Sequence, residues 1–389
     1  MRIALTALII GFLAMPARAQ PKPKGPPVTG AATPELAEVD KLALDFLAEQ
    51  RPPGMAVAIA KDGRLLYARG FGYSDPERKL PVQPTSLFRL ASVSKVITSA
   101  AICQLVDRGQ LKFEDNLLDI LKFKNLPAKM DPRWKQIKVA FLYTHSAGFD
   151  RDADGDPMFK SVEIAKYFKT QPPASRDQII RYMLQQPLDF DPGTKQVYSN
   201  FGYLLLGRVI EKISGKPYDK YVSEEMLKPL GITDMRLGKT LTAAKGEVKY
   251  VDAARPTGPS VFAGTLGRKV PSPYGAWYLE AMDSHGGWIA SAVDLARFGG
   301  AFDQPDRFPA YKGVNLEHRF SPEYYFTGAI DGTSTSLHRL NGLVFVSLFN
   351  SHLGRNEKSL AEEFDRQLKE LLGKITKWPE GDQFKNFYK

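Results

Sequence analysis

The chain has 389 residues, of which 43% are hydrophobic and 25% are charged. This is the composition of a globular protein, and it excludes a largely disordered chain, a collagen-like repeat and a disulfide-dense mini-protein. The length allows two domains, or one large domain with an insertion. The formal net charge is +10, but acidic residues accompany basic ones along most of the chain and no nucleic-acid-binding motif occurs, so we expect no nucleic-acid partner.

Residues that bind metals strongly are few. The single cysteine, Cys103, cannot form an internal disulfide or a cysteine-based metal cluster, and its place in an apolar run indicates a small core residue. The five histidines contain no His-x-His or His-x-x-x-His pair. No P-loop or dinucleotide-binding fingerprint occurs either. We therefore predict no metal and no cofactor.

The first 19 residues have the pattern of an export signal. Arg2 gives a positive start, an apolar run extends over residues 3–13, and residues 17–19 (Ala-Arg-Ala) offer small side chains at the cleavage positions. The apolar run is shorter than the ~20 residues that a bilayer span requires. We expect an exported protein, periplasmic or secreted, with no integral membrane segment after cleavage. Residues 20–33 are rich in Pro and Gly and predict a flexible linker.

Apolar runs joined by turn dipeptides predict two β-hairpins, one near each end of the chain. Asp-Gly and Asn-Gly supply the positive-φ residues that tight hairpin turns need. The two hairpins are residues 54–60 with 64–70, joined by Asp62-Gly63, and residues 334–340 with 343–349, joined by Asn341-Gly342.

Helices are predicted beside both hairpins, from Pro34 at the first and over residues 360–372, stopped by Gly373, at the second. We therefore predict an α+β fold with an antiparallel sheet flanked by N- and C-terminal helices. Between the hairpins, short helices and Pro/Gly-rich loops dominate, with one clear helix over residues 202–214. The predicted organisation is a sheet domain (34–110 and 283–376), a mainly helical inserted region (111–282) and a C-terminal tail (377–389).

A Ser-x-x-Lys motif opens an apolar helical pattern. Ser92 and Lys95 lie three residues apart, which on a helix places them on one face. A serine hydroxyl needs an adjacent base to become a nucleophile, and a lysine serves when burial or neighbouring charge disfavours its charged form. The alternative is a helix-capping serine followed by a solvated lysine. This is the one Ser-x-x-Lys in the chain, which favours the catalytic interpretation.

A Tyr-x-Asn motif precedes the helix at residues 202–214. The hydroxyl of Tyr198 can relay a proton, and the amide of Asn200 can hold both a lysine and a substrate carbonyl. The alternative is a buried aromatic ring followed by a helix cap.

A third segment, Phe326-Thr327-Gly328-Ala329, leads into the second hairpin. A glycine at an edge strand lets a substrate backbone approach closely, and the next N–H can donate to an oxyanion. The alternative is an irregular strand without a catalytic role.

Together these motifs resemble the serine β-lactamase and penicillin-binding-protein superfamily, in particular its class C β-lactamase-like branch, which includes the family VIII esterases. The resemblance extends over residues 54–350 and implies a β-lactamase/transpeptidase-like fold. Further segments that match in the same order are residues 142–148 (LYTHSAG), 198–207 (YSNFGYLLLG), 229–231 (PLG), 286–288 (GGW) and 294–298 (DLARF).

The resemblance implies a role for each motif residue. Ser92 is then the acylated nucleophile and Lys95 its base or proton partner. Tyr198 moves the proton to the leaving group and activates the deacylating water, while Asn200 orients Lys95 and the substrate. The backbone N–H groups of Ser92 and Ala329 form the oxyanion hole.

One position departs from the family pattern, because Phe326 stands where Lys or His is common. A cation there favours substrates with a C-terminal carboxylate, and a phenyl ring supplies none. Arg319 or Arg339, from neighbouring segments of the sequence, is a candidate to supply the missing cation. We therefore expect an ester or amide substrate that lacks this carboxylate, and poor turnover of β-lactams.

The leading prediction is an exported serine hydrolase that acts through a Ser92 acyl-enzyme on small-molecule ester, amide or peptide substrates, with esterase-type activity favoured. The alternatives are a D,D-carboxypeptidase or β-lactamase, and a non-catalytic ligand-binding protein with the same fold.

Three residues that precede the third motif in the chain are candidate cleft residues: His285, Gly286 and Trp288. His145 is expected to have a structural role in a loop. The chain contains no G-x-S-x-G elbow, so an α/β-hydrolase is not indicated.

Overall fold

The N- and C-terminal parts of the chain together build one antiparallel sheet in the computed structural model, which describes residues 25–302, 323–355 and 357–388. The strands are β1 (Val28–Thr29), β2 (Gly54–Lys61), β3 (Arg64–Asp75), β4 (Leu80–Pro81), β5 (Phe88–Arg89), β6 (Arg236–Leu237), β7 (Thr257–Pro259), β8 (Lys269–Pro271), β9 (Trp288–Ala290), β10 (Glu323–Ile330), β11 (Thr333–Leu340) and β12 (Leu343–Phe349). The helices are α1 (Ala37–Gln50), α2 (Ser94–Asp107), α3 (Leu117–Leu121), α4 (Val139–Tyr143), α5 (Arg151–Asp154), α6 (Ser161–Tyr167), α7 (Arg176–Met183), α8 (Asn200–Ser214), α9 (Tyr218–Tyr221), α10 (Ala292–Ala301) and α11 (Leu360–Leu372). The predicted α+β class is confirmed.

Both predicted hairpins form, and they lie side by side. The turns at Asp62-Gly63 and Asn341-Gly342 have positive φ at all four residues. β12 pairs with β2, which gives the strand order β1-β3-β2-β12-β11-β10. β10 is therefore an edge strand, and it contacts the turn that precedes α2.

The two faces of the sheet bury side chains of different size. In β2, the large residues at odd positions 55–59 point to one face and the alanines at even positions 56–60 point to the other. The terminal helices α1 and α11 cover the first face, where the rings of Phe46, Phe349 and Phe364 lie 5.2–5.9 Å apart. The small alanines leave room for α10 on the second face, behind which lie α2 and α8.

The chain between α2 and β9 is mainly helical, as predicted. Its central helix, α8, begins at Asn200 because the side chain of Ser199 accepts a hydrogen bond from the Gly202 N–H at 3.1 Å. The region also contains strands that the sequence did not indicate. β6 pairs with β9, which pairs with β5, so a small sheet ties the helical region to the sheet domain. No helix among the described residues combines the length and apolar character needed to cross a membrane.

The structure differs from the predicted flexible linker at residues 28 and 29. These residues form β1, in which Val28 pairs with Phe71 and Thr29 with Gly70. The Thr29 hydroxyl also donates to the Val82 carbonyl at 2.5 Å. Valine and threonine favour extended backbone, and the otherwise free edge of β3 offers them partners. Residues 1–24, which include the predicted export signal and the start of the linker, lie outside the described residues.

The predicted C-terminal tail packs back onto the sheet domain. Asp382 accepts a hydrogen bond from the Leu65 N–H at 2.9 Å, and the Gln383 amide donates to the Leu66 carbonyl at 2.8 Å. Phe384 is 4% exposed and joins the main hydrophobic core. An aromatic ring in a polar segment is a weak sequence signal, which is why periodicity did not indicate this contact.

Candidate active site

Ser92 lies in a tight turn between β5 and α2. A short 3₁₀ helix, Ala91–Val93, leads directly into α2, so Ser92 and Lys95 are one helical turn apart. Ala91 has a φ of 45°, in the left-handed region that alanine seldom adopts. The Thr335 hydroxyl donates to the Leu90 carbonyl at 2.8 Å and holds this turn against the sheet. The turn leaves the Ser92 side chain partly exposed at the surface of a cavity.

Lys95 is fully buried, and its ammonium nitrogen has three hydrogen-bond acceptors. Nζ lies 3.1 Å from Ser92 Oγ, 2.7 Å from Asn200 Oδ1 and 2.9 Å from the His285 carbonyl oxygen. An ammonium carries three N–H donors, so this set satisfies a buried charge. After losing one proton, the same nitrogen offers a lone pair to the Ser92 hydroxyl. The predicted contact between Ser92 and Lys95 is present.

Tyr198 places its phenolic oxygen 2.6 Å from Ser92 Oγ. The His145 ring packs against the Tyr198 ring at 4.7 Å between centroids, and Lys95 Nζ lies 4.8 Å from the same ring. Burial raises the pKa of the Tyr198 phenol, while the hydrogen bond to Ser92 and the positive charge of Arg151 act in the opposite direction. The phenol is therefore a neutral proton donor and acceptor that bridges to the nucleophile.

Asn200 is oriented from both ends of its amide. Its Oδ1 accepts from Lys95, and its Nδ2 donates to Asp156 Oδ2 at 2.6 Å. The Asp156 carboxylate can only accept, so it fixes which end of the amide faces the lysine. Asp156 itself caps the short 3₁₀ helix that follows, through a hydrogen bond from the Met158 N–H at 3.0 Å.

Gly328 allows β10 to lie against the nucleophile turn. A Cβ atom at this position would come within 2.3 Å of the Leu90 carbonyl oxygen and 2.9 Å of the Ser92 nitrogen. Only glycine permits this approach. The sequence predicted a glycine for close approach of a substrate backbone, whereas the backbone that lies close to Gly328 here is that of the nucleophile turn. The neighbouring residue Ala329 is exposed and lines the same cavity as Ser92.

These residues meet in an open cavity of about 500 Å³ between the sheet domain and the helical region. β10 supplies one wall, with Phe326 beside a 67% exposed Tyr325. Arg151, at the start of α5, stands on the other wall. The lining residues are Ser92, His145, Arg151, Tyr198, Tyr325, Phe326, Thr327 and Ala329.

The three candidate cleft residues His285, Gly286 and Trp288 do not line this cavity, and that prediction is wrong. All three are buried behind the nucleophile turn. Trp288 is in β9 and donates its indole N–H to the Tyr218 hydroxyl at 3.0 Å. His285 contributes its backbone carbonyl to Lys95 rather than its ring. A Gly-Gly pair suggested an exposed loop, whereas the chain here runs through the core.

Of the two suggested replacement cations, Arg339 does not line the cavity. Arg339 is 5% exposed, and its guanidinium lies 5.5 Å from the Phe302 ring. Arg319 lies outside the described residues. The cation of this cavity is Arg151, whose guanidinium carbon lies 4.6 Å from the centroid of the Tyr198 ring. Sequence reasoning missed Arg151 and Asp156 because the one-turn helix α5 and the residues after it are too short to show periodicity, and no motif marks them.

One set of side chains in the described residues could approach a metal ion. Asp252, Asp331 and His352 offer ligand atoms within 4.8 Å of one another. None of them lines the cavity of Ser92. Asp252 is already engaged, since its two oxygens accept from the N–H groups of Arg255 and Gly332 at 2.7 Å.

The arrangement has the parts that covalent acyl transfer needs. It combines a partly exposed hydroxyl nucleophile, a buried amine and a neutral phenol within hydrogen-bonding distance of that hydroxyl. It also places the backbone nitrogen of Ser92, in the short 3₁₀ helix that leads into α2, beside the edge of β10.

Comparison with known proteins identifies the family. The beta-lactamase family model matches residues 39–338. N-acetylmuramyl-L-alanine amidase of Bacillus subtilis (strain 168) is 29% identical over 265 residues, an alignment that covers 63% of this chain and 57% of that relative. The chain thus spans less than two thirds of the length of the curated relatives that it matches.

Solved structures show the same fold. D-amino acid amidase from Ochrobactrum anthropi SV3, complexed with L-phenylalanine, superposes with a TM-score of 0.68 at 20% identity, covering 87% of this chain and 98% of that one. EstCE1, a hydrolase with promiscuous acyltransferase activity, gives a TM-score of 0.63 at 19% identity, with coverage of 87% and 98%. The chain therefore belongs to the beta-lactamase family and shares the fold of its serine hydrolases.

Proposed function

We propose that the protein is a serine hydrolase that cleaves ester or amide bonds through an acyl-enzyme on Ser92. The observation that carries this proposal is the position of Ser92 Oγ, 2.6 Å from the Tyr198 hydroxyl and 3.1 Å from Lys95 Nζ. A capping serine and a solvated lysine would not share a buried network with a tyrosine from another part of the chain.

In the acylation step, Ser92 Oγ bonds to the substrate carbonyl carbon as its proton passes to unprotonated Lys95, with Tyr198 bridging to the leaving group. The carbonyl oxygen becomes an oxyanion, which the N–H groups of Ser92 and Ala329 stabilise. When the bond to the leaving group breaks, Tyr198 supplies the proton to that group. The proton removed from Ser92 replaces it, so the enzyme ends the step with unchanged protonation.

Deacylation repeats these steps with water in place of Ser92. The Tyr198 and Lys95 pair accepts a proton from water as the water oxygen bonds to the acyl carbon. The bond between that carbon and Ser92 Oγ then breaks, the serine regains a proton, and the acid product leaves.

Esterase-type activity is favoured by the residue at the third motif. Phe326 lines the β10 wall and carries no charge where a cation would hold a substrate carboxylate. A D,D-carboxypeptidase or β-lactamase is the second candidate, and the 25% identity over 262 residues to a putative D-alanyl-D-alanine carboxypeptidase of Escherichia coli (strain K12) supports it. The ratio of kcat/KM for short-chain p-nitrophenyl esters to that for nitrocefin separates the two. The proposal expects the esters to be preferred, and a dominant nitrocefin activity would overturn the preference for esters.

A kinetic experiment distinguishes the proposed hydrolase from a non-catalytic ligand-binding protein. Hydrolysis of a p-nitrophenyl ester that follows saturation kinetics and is lost in Ser92→Ala would support catalysis. A Ser92→Ala protein that is as active as the wild type would exclude the Ser92 acyl-enzyme. Ser146→Ala is a matched control, since Ser146 is a half-buried serine next to the cavity residue His145 and its hydroxyl bonds to that of Thr144.

We further propose that the protein is exported, on the basis of Arg2 and the apolar run over residues 3–13. Expression of the full chain in a bacterial host, followed by N-terminal sequencing of the protein from the periplasmic or culture fraction, tests this. Export predicts a mature protein that begins near residue 20, and an uncleaved cytoplasmic product contradicts it.

A further inference from the structure

Arg151 is held over the ring of the proposed proton relay. Its guanidinium carbon is 4.6 Å from the centroid of Tyr198, in a cation–π contact, and the residue lines the cavity of Ser92. Its helix, α5, is capped by Asp150, which accepts a hydrogen bond from the Asp152 N–H at 3.0 Å. Asp150 is in turn bonded to Lys195 at 3.1 Å, so the segment that carries Arg151 is anchored.

The hydrogen-bond donors of Arg151 are not used by the protein within the described residues. The one carboxylate within 4 Å there is Asp152, whose Oδ1 lies 3.7 Å from Arg151 Nε, beyond normal hydrogen-bonding distance. The Asp152 side chain is 81% exposed, and an ion pair in such contact with water contributes little. By contrast, the buried Arg89 donates to the carbonyls of three other residues. Unlike an arginine that holds the fold together, Arg151 has donor groups available to a ligand, and it lies at the border between the Ser92 cavity and a second cavity lined by Asp154 and Asp156.

The cavity is suited to an anion on an apolar body. Arg151 is the charged residue among the described lining residues, and no lining residue is a carboxylate. The buried ammonium of Lys95 lies beneath the same surface. On the β10 wall, Tyr325 and Phe326 present aromatic surface.

We propose that Arg151 binds a carboxylate of the substrate, so that the preferred substrates are acidic esters or amides. This rests on the proposed function of Ser92. The planar guanidinium can form two parallel hydrogen bonds to a carboxylate, and its contact with Tyr198 places that carboxylate near the reacting bond. The cation comes from the wall of α5 rather than from the position of Phe326. The acid group of the substrate therefore points towards α5. A cation on β10 would instead select substrates whose acid group points towards β10.

The kinetic test uses p-nitrophenyl monoglutarate and, as its neutral match, the methyl p-nitrophenyl diester of glutaric acid. A second pair, 3-carboxyphenyl valerate and phenyl valerate, carries the acid on the leaving group, so the two pairs show on which side of the reacting bond it binds. We expect the acidic member of one pair to have the higher kcat/KM. Arg151→Gln should remove a preference of about 10- to 100-fold, mainly through KM, so that the acidic and the neutral member of the pair have similar kcat/KM. Arg151→Lys should retain part of the preference for the acidic substrate. Arg181→Gln, which changes an arginine outside this cavity, should retain all of that preference.

Two outcomes overturn the proposal: a wild-type enzyme that prefers the neutral member of both pairs, or an Arg151→Gln variant that loses equal activity on acidic and neutral substrates. The second outcome would mean that Arg151 acts only through Tyr198. A binding measurement keeps the proposal separate from the hydrolase assignment. In Ser92→Ala, glutaryl p-nitroanilide should bind about tenfold tighter than valeryl p-nitroanilide, and Arg151→Gln in that background should abolish the difference. Equal binding of the two anilides to Ser92→Ala, together with equal binding of 3-carboxyphenyl valerate and phenyl valerate, overturns the anion site even if Ser92 is catalytic, and a difference within either pair upholds it even if Ser92 is not.

Discussion

Tyr198 and Ser92, 106 positions apart in the chain, share a hydrogen bond of 2.6 Å between their side-chain oxygens. Two different elements bring them together: the turn before α2 and the residue that precedes the cap of α8. The His145 ring supports the phenol from its side, and its Nδ1 accepts from the Ser199 N–H at 3.2 Å. The position of the phenol thus depends on packing as well as on the bond to serine.

Tyr198→Phe removes the hydroxyl and keeps the ring stacked on His145. Since the relay of a proton to the leaving group is lost, we expect kcat for a p-nitrophenyl ester to fall by about 10²- to 10⁴-fold. The melting temperature should change little, because the ring contacts remain. His145→Gln is the comparison, because it removes the ring support and leaves the hydroxyl. A Tyr198→Phe enzyme with wild-type kcat would exclude the relay.

Asp156 is predicted to act on the reaction through Asn200. In Asp156→Ala the amide loses the acceptor that fixes its orientation, so Asn200 can turn its N–H₂ group toward Lys95. We expect kcat to fall about tenfold, with KM nearly constant and the pH–rate profile displaced, because the surroundings of Lys95 change.

Asp156→Asn separates this positioning role from a general loss of structure. Its carbonyl oxygen can still accept from Asn200, so it should restore most of the activity. Asp154→Asn, on the same segment, is the control and should behave like the wild type. An unchanged pH–rate profile in Asp156→Ala would count against the link to Lys95.

Gly328→Ala should close the oxyanion site. The added methyl group would meet the Leu90 carbonyl oxygen at 2.3 Å and must push β10 away from the Ser92 N–H. We expect acylation to slow by about 10²- to 10³-fold, the range found when an oxyanion donor is lost. Ala329→Gly leaves both backbone N–H groups in place and should stay within severalfold of the wild type. Stopped-flow release of p-nitrophenol measures the acylation rate, and a Gly328→Ala rate equal to that of Ala329→Gly would contradict the proposed geometry.

His285 makes the stability of the fold depend on pH. Burial, together with the charge of Lys95, lowers the pKa of its imidazole well below the ordinary value. Below about pH 6.5 the unfolded chain takes up a proton that the folded chain does not, so the free energy of unfolding decreases as pH falls. The contribution of one such group approaches about 1.4 kcal/mol per pH unit.

Urea unfolding between pH 7 and pH 5 measures this slope. His285→Gln should reduce it by about one proton, leaving the smaller contribution of His352, whose pKa is also lowered by burial. Identical slopes in the wild type and His285→Gln would show that the imidazole is not buried in its neutral form.

The sequence was sufficient for features that depend on local spacing. Ser92 and Lys95 are three residues apart on one helical segment, and Asp62-Gly63 and Asn341-Gly342 mark tight turns, so each could be predicted before any tertiary contact was known. Gly328 was singled out because a glycine in an edge strand lets a substrate backbone approach closely, but its contact with the turn of Ser92 was not predicted.

The remaining features depend on contacts between distant segments. Arg151 lies in the one-turn helix α5 and Asp156 just after it, and nothing in the composition of this segment shows that it folds onto Tyr198 and Asn200. The His285 carbonyl is a backbone group, for which no residue type is diagnostic. Trp288 was misplaced for a related reason, because the pairing of β9 with β5 and β6 is long-range.

The central claim is that Ser92 forms a covalent bond with the acyl group of its substrate. The most direct measurement is intact-mass spectrometry of the protein after treatment with a fluorophosphonate, followed by peptide mapping. The account predicts a single stoichiometric adduct on Ser92 that is absent from Ser92→Ala and formed much more slowly in Lys95→Met. An unmodified wild-type protein, or an adduct on another residue, would contradict it.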